Sequence, residues 1–358
     1  MEKDWSEKCK RMQTLIGKEE SFREGIQILL ELRDDLFSRI TSITCNYPPE
    51  AFYKMPFAGA KGYHSKTLAY SMWHIFRIED IVAHTLIRQD SQVLFAGGWQ
   101  EKIKSPIITT GNELQGQEIA EFSQKLDIRA LYGYCEAVMN STNELLYGLE
   151  YKDLKKKFTD ADRERLEDSG CVSTDENAYW LIDYWCGKNL RGLIQMPFSR
   201  HWIMHVEAMC RIKDKLCQQA RKGVDPVACC GLSCNHCFMK AWCGGCRTIY
   251  NVCSDATCSP GRVCPNTACC SEKKLDGCYE CEELLNCRKG FYANADDTNP
   301  VKAMALFVGK HGKKKLLAVM DRLHQKYEFE KIQEVLSFDL EEATGILEQN
   351  LKEIENAG

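Results

Sequence analysis

The first 222 residues place apolar side chains at intervals of three or four positions, as the core-facing side of a helix requires. Runs of this kind cover about residues 22–44, 65–88 and 119–149, and Ser65 is a suitable N-cap for the second. A polar stretch with Gly97 and Gly111 separates the second run from the third. This stretch predicts a long connection between two helices.

The fourth predicted helix carries signals at both of its ends. Pro197 suits a first helical turn, Gly223 suits a C-terminal cap, and Pro226 prevents continuation. The charged segment 152–168 predicts a further helix outside the core. Four long helices with one long connection predict an up-and-down four-helix bundle over residues 1–222.

The hydrophobic periodicity is lost in residues 223–294, where cysteine, glycine and short polar turns dominate. Such a segment cannot close over an ordinary core, so bound metal would have to supply folding energy. Helical patterning returns over about residues 300–325 and 328–356. We therefore expect a mainly α protein: a bundle (1–222), a small irregular metal-stabilised module (223–294) and C-terminal helices (295–358) packed on the module or the bundle.

Composition and charge argue against nucleic-acid and membrane partners. The chain has 358 residues, a net charge of -4 and a pI near 6.1, so it lacks the basic excess typical of nucleic-acid binding. No apolar run approaches the ~20 residues that span a bilayer, and the first residues are charged, unlike a signal peptide. We expect a cytoplasmic protein without a membrane or nucleic-acid partner. A protein partner and a homodimer stay open.

Histidines occupy the apolar faces of two predicted helices. His201 and His205 are four residues apart and so share one face, and His74 lies in the apolar stripe of the second helix. A buried imidazole needs a partner, either a backbone carbonyl or a metal ion shared with other histidines. Spacing leaves both readings open. Three protein ligands with an open fourth position would be typical of a catalytic metal site.

The remaining histidines have no comparable arrangement in the sequence. We expect them not to be metal ligands: His64, His84, His236, His311 and His324.

Two segments give residues 1–220 a family resemblance. The sequence TLAYSMWHIFRIED at residues 67–80, followed by RHWIMH at 200–205, resembles the DinB/YfiT-like superfamily. The resemblance implies a four-helix bundle with a histidine triad that binds zinc, nickel or iron, at His74, His201 and His205. It also implies the activities of characterised branches, which are transferases and isomerases that use low-molecular-weight thiols such as bacillithiol, mycothiol or glutathione.

Two charged residues near His74 are candidates for catalytic roles. Arg77 could reach the rim of the site and bind a substrate carboxylate. Glu79 could orient an imidazole through its second nitrogen. The alternative for each is a surface salt bridge.

Fourteen of the 21 cysteines lie between Cys229 and Cys287. Without an export signal, metal ligands are favoured over disulfides. Three C-x2-C units begin at Cys234, Cys243 and Cys278, and each can direct two thiolates at one ion. Two or three zinc ions are the preferred reading. An iron–sulfur cluster is the alternative, although neither common ferredoxin spacing is present.

The same segment resembles a family of small cysteine-rich domains of unknown function that are regarded as zinc-binding. The similarity continues weakly to about residue 335. The matching positions are Cys230, Cys234, Cys237, Cys243, Cys246, Cys264, Cys269, Cys278, Cys281 and Cys287. This chain departs from the pattern by adding Cys229, Cys253, Cys258 and Cys270, and by Asn286 where the family tends to have proline.

Together these features favour a metal-dependent enzyme that acts on a small thiol or thiol conjugate, as an S-transferase, isomerase or hydrolase. In the alternative, the protein is a non-enzymatic metal or redox sensor, or an interaction protein, whose cysteine-rich module is the working part.

Overall fold

The computed structural model describes residues 3–44, 47–241, 243–250, 264–293 and 295–357. Over these residues the regular structure is helical, with no β-strand and two isolated bridges, so the mainly α prediction is confirmed. None of the described helices is both long and apolar enough to cross a membrane. The chain forms two compact units, unit 1 (Met1–Ile212) and unit 2 (Lys213–Gly358).

The helices of unit 1 include three single turns, Pro49–Phe52, Val93–Ala96 and Trp99–Ile103, and 3-10 turns at Glu19–Ser21, Gly62–Ser65 and Tyr151–Lys155. Its main helices are α1 (Lys3–Leu15), α2 (Phe22–Thr44), α3 (Leu68–Asp80, continued by a π-helix over Ile81–Arg88), α4 (Gln117–Lys125), α5 (Ile128–Gly148), α6 (Asp160–Asp168), α7 (Glu176–Cys186), α8 (Leu190–Gln195) and α9 (Arg200–Ala220, which ends in unit 2).

The bounds of α2 agree with the periodicity, whereas the predicted helix over 119–149 is two helices. Leu126 adopts an extended conformation after α4, and the Asp127 side chain then accepts a hydrogen bond from the Ala130 amide. Asp127 is therefore the N-cap of α5. The apolar spacing continues across this break because α4 and α5 each bury one face, so the periodicity alone predicts a single helix.

Two predicted helix starts lie a few residues too early. Thr67, rather than Ser65, caps α3 by accepting a hydrogen bond from the Tyr70 amide. Pro197 lies in a turn before α9, where the Phe198 amide still donates to the Leu193 carbonyl of the preceding helix. Residues 196–198 thus close α8, and the Ser199 carbonyl accepts the first hydrogen bond of α9 from the Ile203 amide.

A buried polar network joins four long helices of unit 1. Arg33 on α2 forms a bidentate ion pair with Glu79 on α3, at 2.7 and 2.8 Å, and donates to Asn143 on α5 at 2.7 Å. Trp202 on α9 donates its indole N–H to the same Glu79 carboxylate at 2.9 Å. Arg33 and Glu79 are fully buried, so the network satisfies charges that would otherwise be costly. It aligns α3 with α9.

Unit 2 combines short turns with three longer helices. Its helices are α10 (Pro265–Lys273), α11 (Ala295–His311), α12 (Lys313–Tyr327) and α13 (Leu340–Ala357), with 3-10 turns at Cys234–His236, Phe238–Ala241, Cys278–Glu280, Leu284–Asn286, Gly290–Tyr292 and Ile332–Glu334. Cysteines such as Cys229 and Cys278 share one buried cluster with Met304, Phe307 and Leu347. The cysteine-rich segment and the C-terminal helices therefore have a common core.

Candidate metal centre

Helices α3 and α9 bring three imidazoles together in unit 1. His74 comes from α3, and His201 and His205 lie one turn apart on α9. One ring nitrogen from each lies within 4.8 Å of the others, and the ring centroids are 4.7–5.2 Å apart. All three side chains are buried. Among the described residues, these three histidines form a group of ligand side chains that lie close enough together to hold one ion.

Side chains of α3 hold the loop 108–111 along the helix. The donors are spaced at i, i+3, i+4 and i+7, so they occupy one helix face. They are Tyr70 Oη to the Gly111 carbonyl at 2.9 Å, Trp73 Nε1 to Thr109 at 3.2 Å, His74 Nδ1 to Thr110 at 2.8 Å and Arg77 Nε to Ile108 at 2.7 Å. The loop is thereby fixed against the histidine that it contacts.

The Thr110 carbonyl determines the tautomer of His74. A carbonyl oxygen can only accept, so Nδ1 of His74 must carry the proton and Nε2 presents a lone pair. Metal-binding histidines commonly have this arrangement, in which the second nitrogen donates to a carbonyl or carboxylate.

The α9 histidines have buried nitrogens with no hydrogen-bond partner among the described residues. These atoms are Nδ1 of His201 and both ring nitrogens of His205. Burying an unpaired polar atom is costly. A metal ion would accept one lone pair from each of these imidazoles, so the side chains present fit a metal-binding site.

The electrostatic environment keeps the imidazoles neutral. Burial and, to a smaller extent, the nearby Lys66 ammonium lower the pKa of His74 to about 4, although the hydrogen bond to Thr110 acts to raise it. Burial also lowers the pKa values of His201 and His205 well below the ordinary value. Neutral imidazole is the form that binds a metal ion.

A cavity of about 370 Å³ adjoins the triad, and all three histidines contribute to its wall. The rest of the wall is largely aromatic and apolar, with a few polar groups. The polar groups include Lys66, Asn112 and Ser65, and the aromatic ones are Tyr63, Tyr70, Trp180, Tyr184 and Trp185. The partly buried Lys66 ammonium lies 4.9 Å from the Tyr70 ring centroid. A ligand reaching the triad would meet one cation and several rings.

The candidate catalytic residues Arg77 and Glu79 lie elsewhere. Both are fully buried, and neither lines this cavity. The Arg77 guanidinium contacts Asp80 at 3.2 Å and the Gln92 amide at 2.5 Å, while Glu79 binds Arg33 and Trp202. Both act in the buried framework of α3, in place of the surface salt bridges weighed as the alternative.

The predicted cysteine ligands surround two cavities in unit 2. Cys230, Cys234, Cys237, Cys243, Cys246 and Cys264 line one, and Cys269, Cys278, Cys281 and Cys287 line the other. Near pairs occur, such as Cys270 and Cys278 with sulfurs 3.7 Å apart, and could hold a metal. Cys253 and Cys258 lie outside the described residues.

The other histidines contact protein groups. His84 bonds Asp90 and Ser141, His236 bonds Ser233 and Asp321, and His311 bonds Glu348. His64 lies 3.3 Å from an Arg211 nitrogen, and the His324 ring packs against Phe329.

Sequence reasoning missed Lys66 and the loop 108–111 as parts of the site. The sequence did contain a signal for the loop, because four side chains of α3 that can donate hydrogen bonds lie on one helix face. They are Tyr70, Trp73, His74 and Arg77. No sequence pattern could have identified Lys66, because its position beside the triad depends on the conformation of the turn before α3.

The chain was also compared with known proteins. No family model matches it, and neither a curated protein nor a solved structure does. Its function must therefore be argued from the geometry of the site.

Proposed function

We propose that unit 1 is a four-helix bundle of the DinB/YfiT-like type that binds a divalent metal through His74, His201 and His205. The observation that carries the proposal is the convergence of three buried imidazoles, of which His201 and His205 have ring nitrogens without a hydrogen-bond partner among the described residues. Zinc is the metal we expect, with nickel or iron as alternatives, because three nitrogen ligands with an open position are typical of catalytic zinc.

The adjoining cavity provides the open side of the site. A metal there would supply Lewis acidity to a bound thiolate or water. Lys66 would bind an anionic group of the substrate, since it lines the same cavity and its ammonium lowers the pKa values of His74 and His205. The aromatic wall would pack against the apolar part and exclude water.

These features support an enzyme that acts on a low-molecular-weight thiol or thiol conjugate. The cavity volume of about 370 Å³ lies within the range for small-molecule sites, roughly 300–1,000 Å³. The loop 108–111 and the Arg33 network would keep the ligands in place before metal arrives. The reaction would be of the S-transferase, isomerase or hydrolase type.

The metal site is tested by elemental analysis of anaerobically purified protein. His201→Ala should lose one metal equivalent, whereas the control His84→Ala removes an equally buried histidine of unit 1 that has protein partners and should lose none. Unchanged metal content in His201→Ala would refute the triad.

The thiol substrate is tested by cobalt substitution. Adding a thiol such as glutathione or bacillithiol should produce a new thiolate-to-cobalt absorption band in the wild type. His201→Ala supplies the background, because any cobalt bound by the cysteines of unit 2 remains in that variant. A thiol-induced spectrum that is identical in both proteins would contradict a thiol-binding open position.

The second candidate is a metal or redox sensor, or an interaction protein, whose working part is the cysteine-rich segment. The close sulfurs of Cys270 and Cys278 favour it, because such a pair can bind metal or be oxidised. Turnover of a thiol substrate that depends on His201 would favour the enzyme. Metal- or oxidant-dependent changes that leave unit 1 unaffected would favour the sensor.

A further inference from the structure

A second cluster of polar side chains lies in unit 1, away from the histidine triad. Its members are His84 on the π-helix that continues α3, Asp90 just after that helix, and Ser141 on α5. None of the three lines the cavity beside the triad, and His84 lies ten residues beyond His74 along the helix. The cluster is therefore a separate feature of the fold.

The imidazole of His84 links the other two side chains through hydrogen bonds. Its Nδ1 lies 2.5 Å from Asp90 Oδ1, and its Nε2 lies 3.0 Å from Ser141 Oγ. An ionised carboxylate can only accept, so Nδ1 of the neutral imidazole carries the proton and Nε2 presents a lone pair. The Ser141 hydroxyl then donates its proton to that lone pair.

This order of donors and acceptors is the one that activates a serine. The imidazole takes the hydroxyl proton at one nitrogen, while a carboxylate at the other nitrogen fixes its tautomer and orientation. Such a group of residues is recognised by geometry and roles, because it occurs in different chain orders on unrelated folds. Ser141, His84 and Asp90 provide both of the required hydrogen bonds, from nucleophile to base and from base to orienting group.

Arg88 places a cation beside the serine. Its Nη1 donates to Ser141 Oγ at 3.4 Å, so this oxygen accepts from Arg88 while it donates to His84. A guanidinium is always charged, and a cation here favours the negative charge that develops on oxygen during attack on a carbonyl group. The cluster thus contains a nucleophile, a base, an orienting carboxylate and a group that can stabilise an oxyanion.

The end of the π-helix brings these groups together. π-Helical turns are rare and are often found at functional sites. Gln89 takes a left-handed conformation, with φ 59°, and the amides of Gln89 and Asp90 both donate to the His84 carbonyl. This tight turn returns the Asp90 carboxylate to the imidazole six residues before it.

The serine side of the cluster is open to solvent. His84 is buried, whereas Ser141 and Arg88 are half-buried and Asp90 is exposed. A small acyl compound can therefore approach the hydroxyl while protein atoms shield the base.

We propose that Ser141 is the nucleophile of a second active centre, which cleaves small carboxylic esters with His84 as general base. Ser141 Oγ would attack the ester carbonyl carbon and form an oxygen–carbon bond, while its proton passes to His84 Nε2. The carbon–oxygen bond to the alcohol breaks as His84 returns the proton to the leaving oxygen. Water, deprotonated by His84 in the same way, would then release the carboxylic acid and restore the serine.

A fluorophosphonate probe tests the nucleophile, because an activated serine displaces its fluoride and forms a stable oxygen–phosphorus bond. Peptide mass spectrometry of the full-length protein should place the label on Ser141. His84→Gln should slow this labelling about 100-fold, the lower end of a general-base contribution. An unlabelled Ser141, or equally fast labelling in His84→Gln, would overturn the proposal.

The matched control is Ser42→Ala. It removes another half-buried serine of a unit 1 helix, whose hydroxyl donates to the Arg39 carbonyl, and Ser141 should be labelled in it as fast as in the wild type. Asp90→Asn alters an exposed side chain, so it keeps the test decisive if His84→Gln does not fold. It should slow labelling about tenfold or more without changing the unfolding midpoint, and unchanged labelling would refute the role of Asp90.

The ester substrate is tested with p-nitrophenyl acetate. Release of p-nitrophenol should be faster in the wild type than in Ser141→Ala, because acylation of the cysteines is common to both proteins and cancels. The same difference should persist in the His201→Ala background, which removes any hydrolysis by a metal at the triad. Equal release with and without Ser141 would contradict the second centre, whatever the outcome for the metal site.

Discussion

Unit 1 and unit 2 gather potential metal ligands by opposite means. In unit 1 two long helices supply three imidazoles, and a buried ion pair with a hydrogen-bonded loop holds those helices in place. In unit 2 the ligands lie on short turns around cavities, with far less regular structure near them. In unit 1 the packing of helices alone brings the imidazoles together, whereas the cysteines of unit 2 would need a bound metal to draw them to one point.

Metal removal should have the largest effect, and it should fall on unit 2. The loss of unfolding free energy should approach the order of 10 kcal/mol known for small metal-dependent domains, because bound metal would link short cysteine turns that otherwise depend on the core they share with the C-terminal helices. Peptide-resolved hydrogen exchange of the metal-free full-length chain should show the loss of protection in residues 264–293. Equal loss of protection in α2 and α5 would mean that unit 1 depends on metal as strongly.

Replacing Arg33 should have the next largest effect, and it should fall on unit 1. Arg33→Met leaves the buried Glu79 carboxylate without its cation, so we expect a loss of about 3–5 kcal/mol of stability in urea unfolding. The matched control is Arg33→Met/Glu79→Gln, which removes the stranded charge and keeps an acceptor for the Trp202 indole. This double variant should recover much of the loss. If it is as unstable as Arg33→Met, the buried charge is not the cause.

The loop 108–111 offers a smaller, more local test. Tyr70→Phe keeps the ring stacked on His74 but removes the hydroxyl that holds the Gly111 carbonyl. Outer contacts of this kind are worth about 10–100-fold in metal affinity, and we expect the lower end. Competition with a coloured chelator measures the change. Tyr134→Phe, which removes a hydroxyl bonded to Asp80 instead, should leave affinity unchanged, and an equal loss there would argue against a role for the loop.

The smallest expected effect concerns the ligand. Lys66→Met should weaken binding of an anionic thiol about tenfold, the value of one charge-assisted hydrogen bond, while Lys66→Arg should retain most of it. Calorimetric titration of the metal-loaded protein measures both. A matched neutral thiol should bind the wild type and Lys66→Met equally. If the neutral thiol loses as much, Lys66 acts through the shape of the cavity and not through its charge.

The spacing of apolar residues predicted much of the helical structure of unit 1. The periodicity predicted α2 closely and placed His74, His201 and His205 on buried faces, because helix facing depends on local spacing alone. The break at Asp127 was not predicted, since an N-cap aspartate and a helical aspartate look alike within an apolar stripe. Arg77 and Glu79 were expected near the site because they are close to His74 in sequence. Glu79 instead binds Arg33 and Trp202, and Arg77 binds Gln92 and the Ile108 carbonyl as well as its neighbour Asp80, and no local pattern contains the distant partners.

Composition and local spacing are enough to predict a mainly helical protein, histidines on the buried faces of two helices and a concentration of thiols after residue 228. Each depends on composition or on spacing along one element. It takes the packed chain to show that the three imidazoles meet, that Thr110 sets the tautomer of His74, and that the cysteines enclose cavities. Those relations join residues far apart in the chain, and their geometry is set by how helices and turns pack.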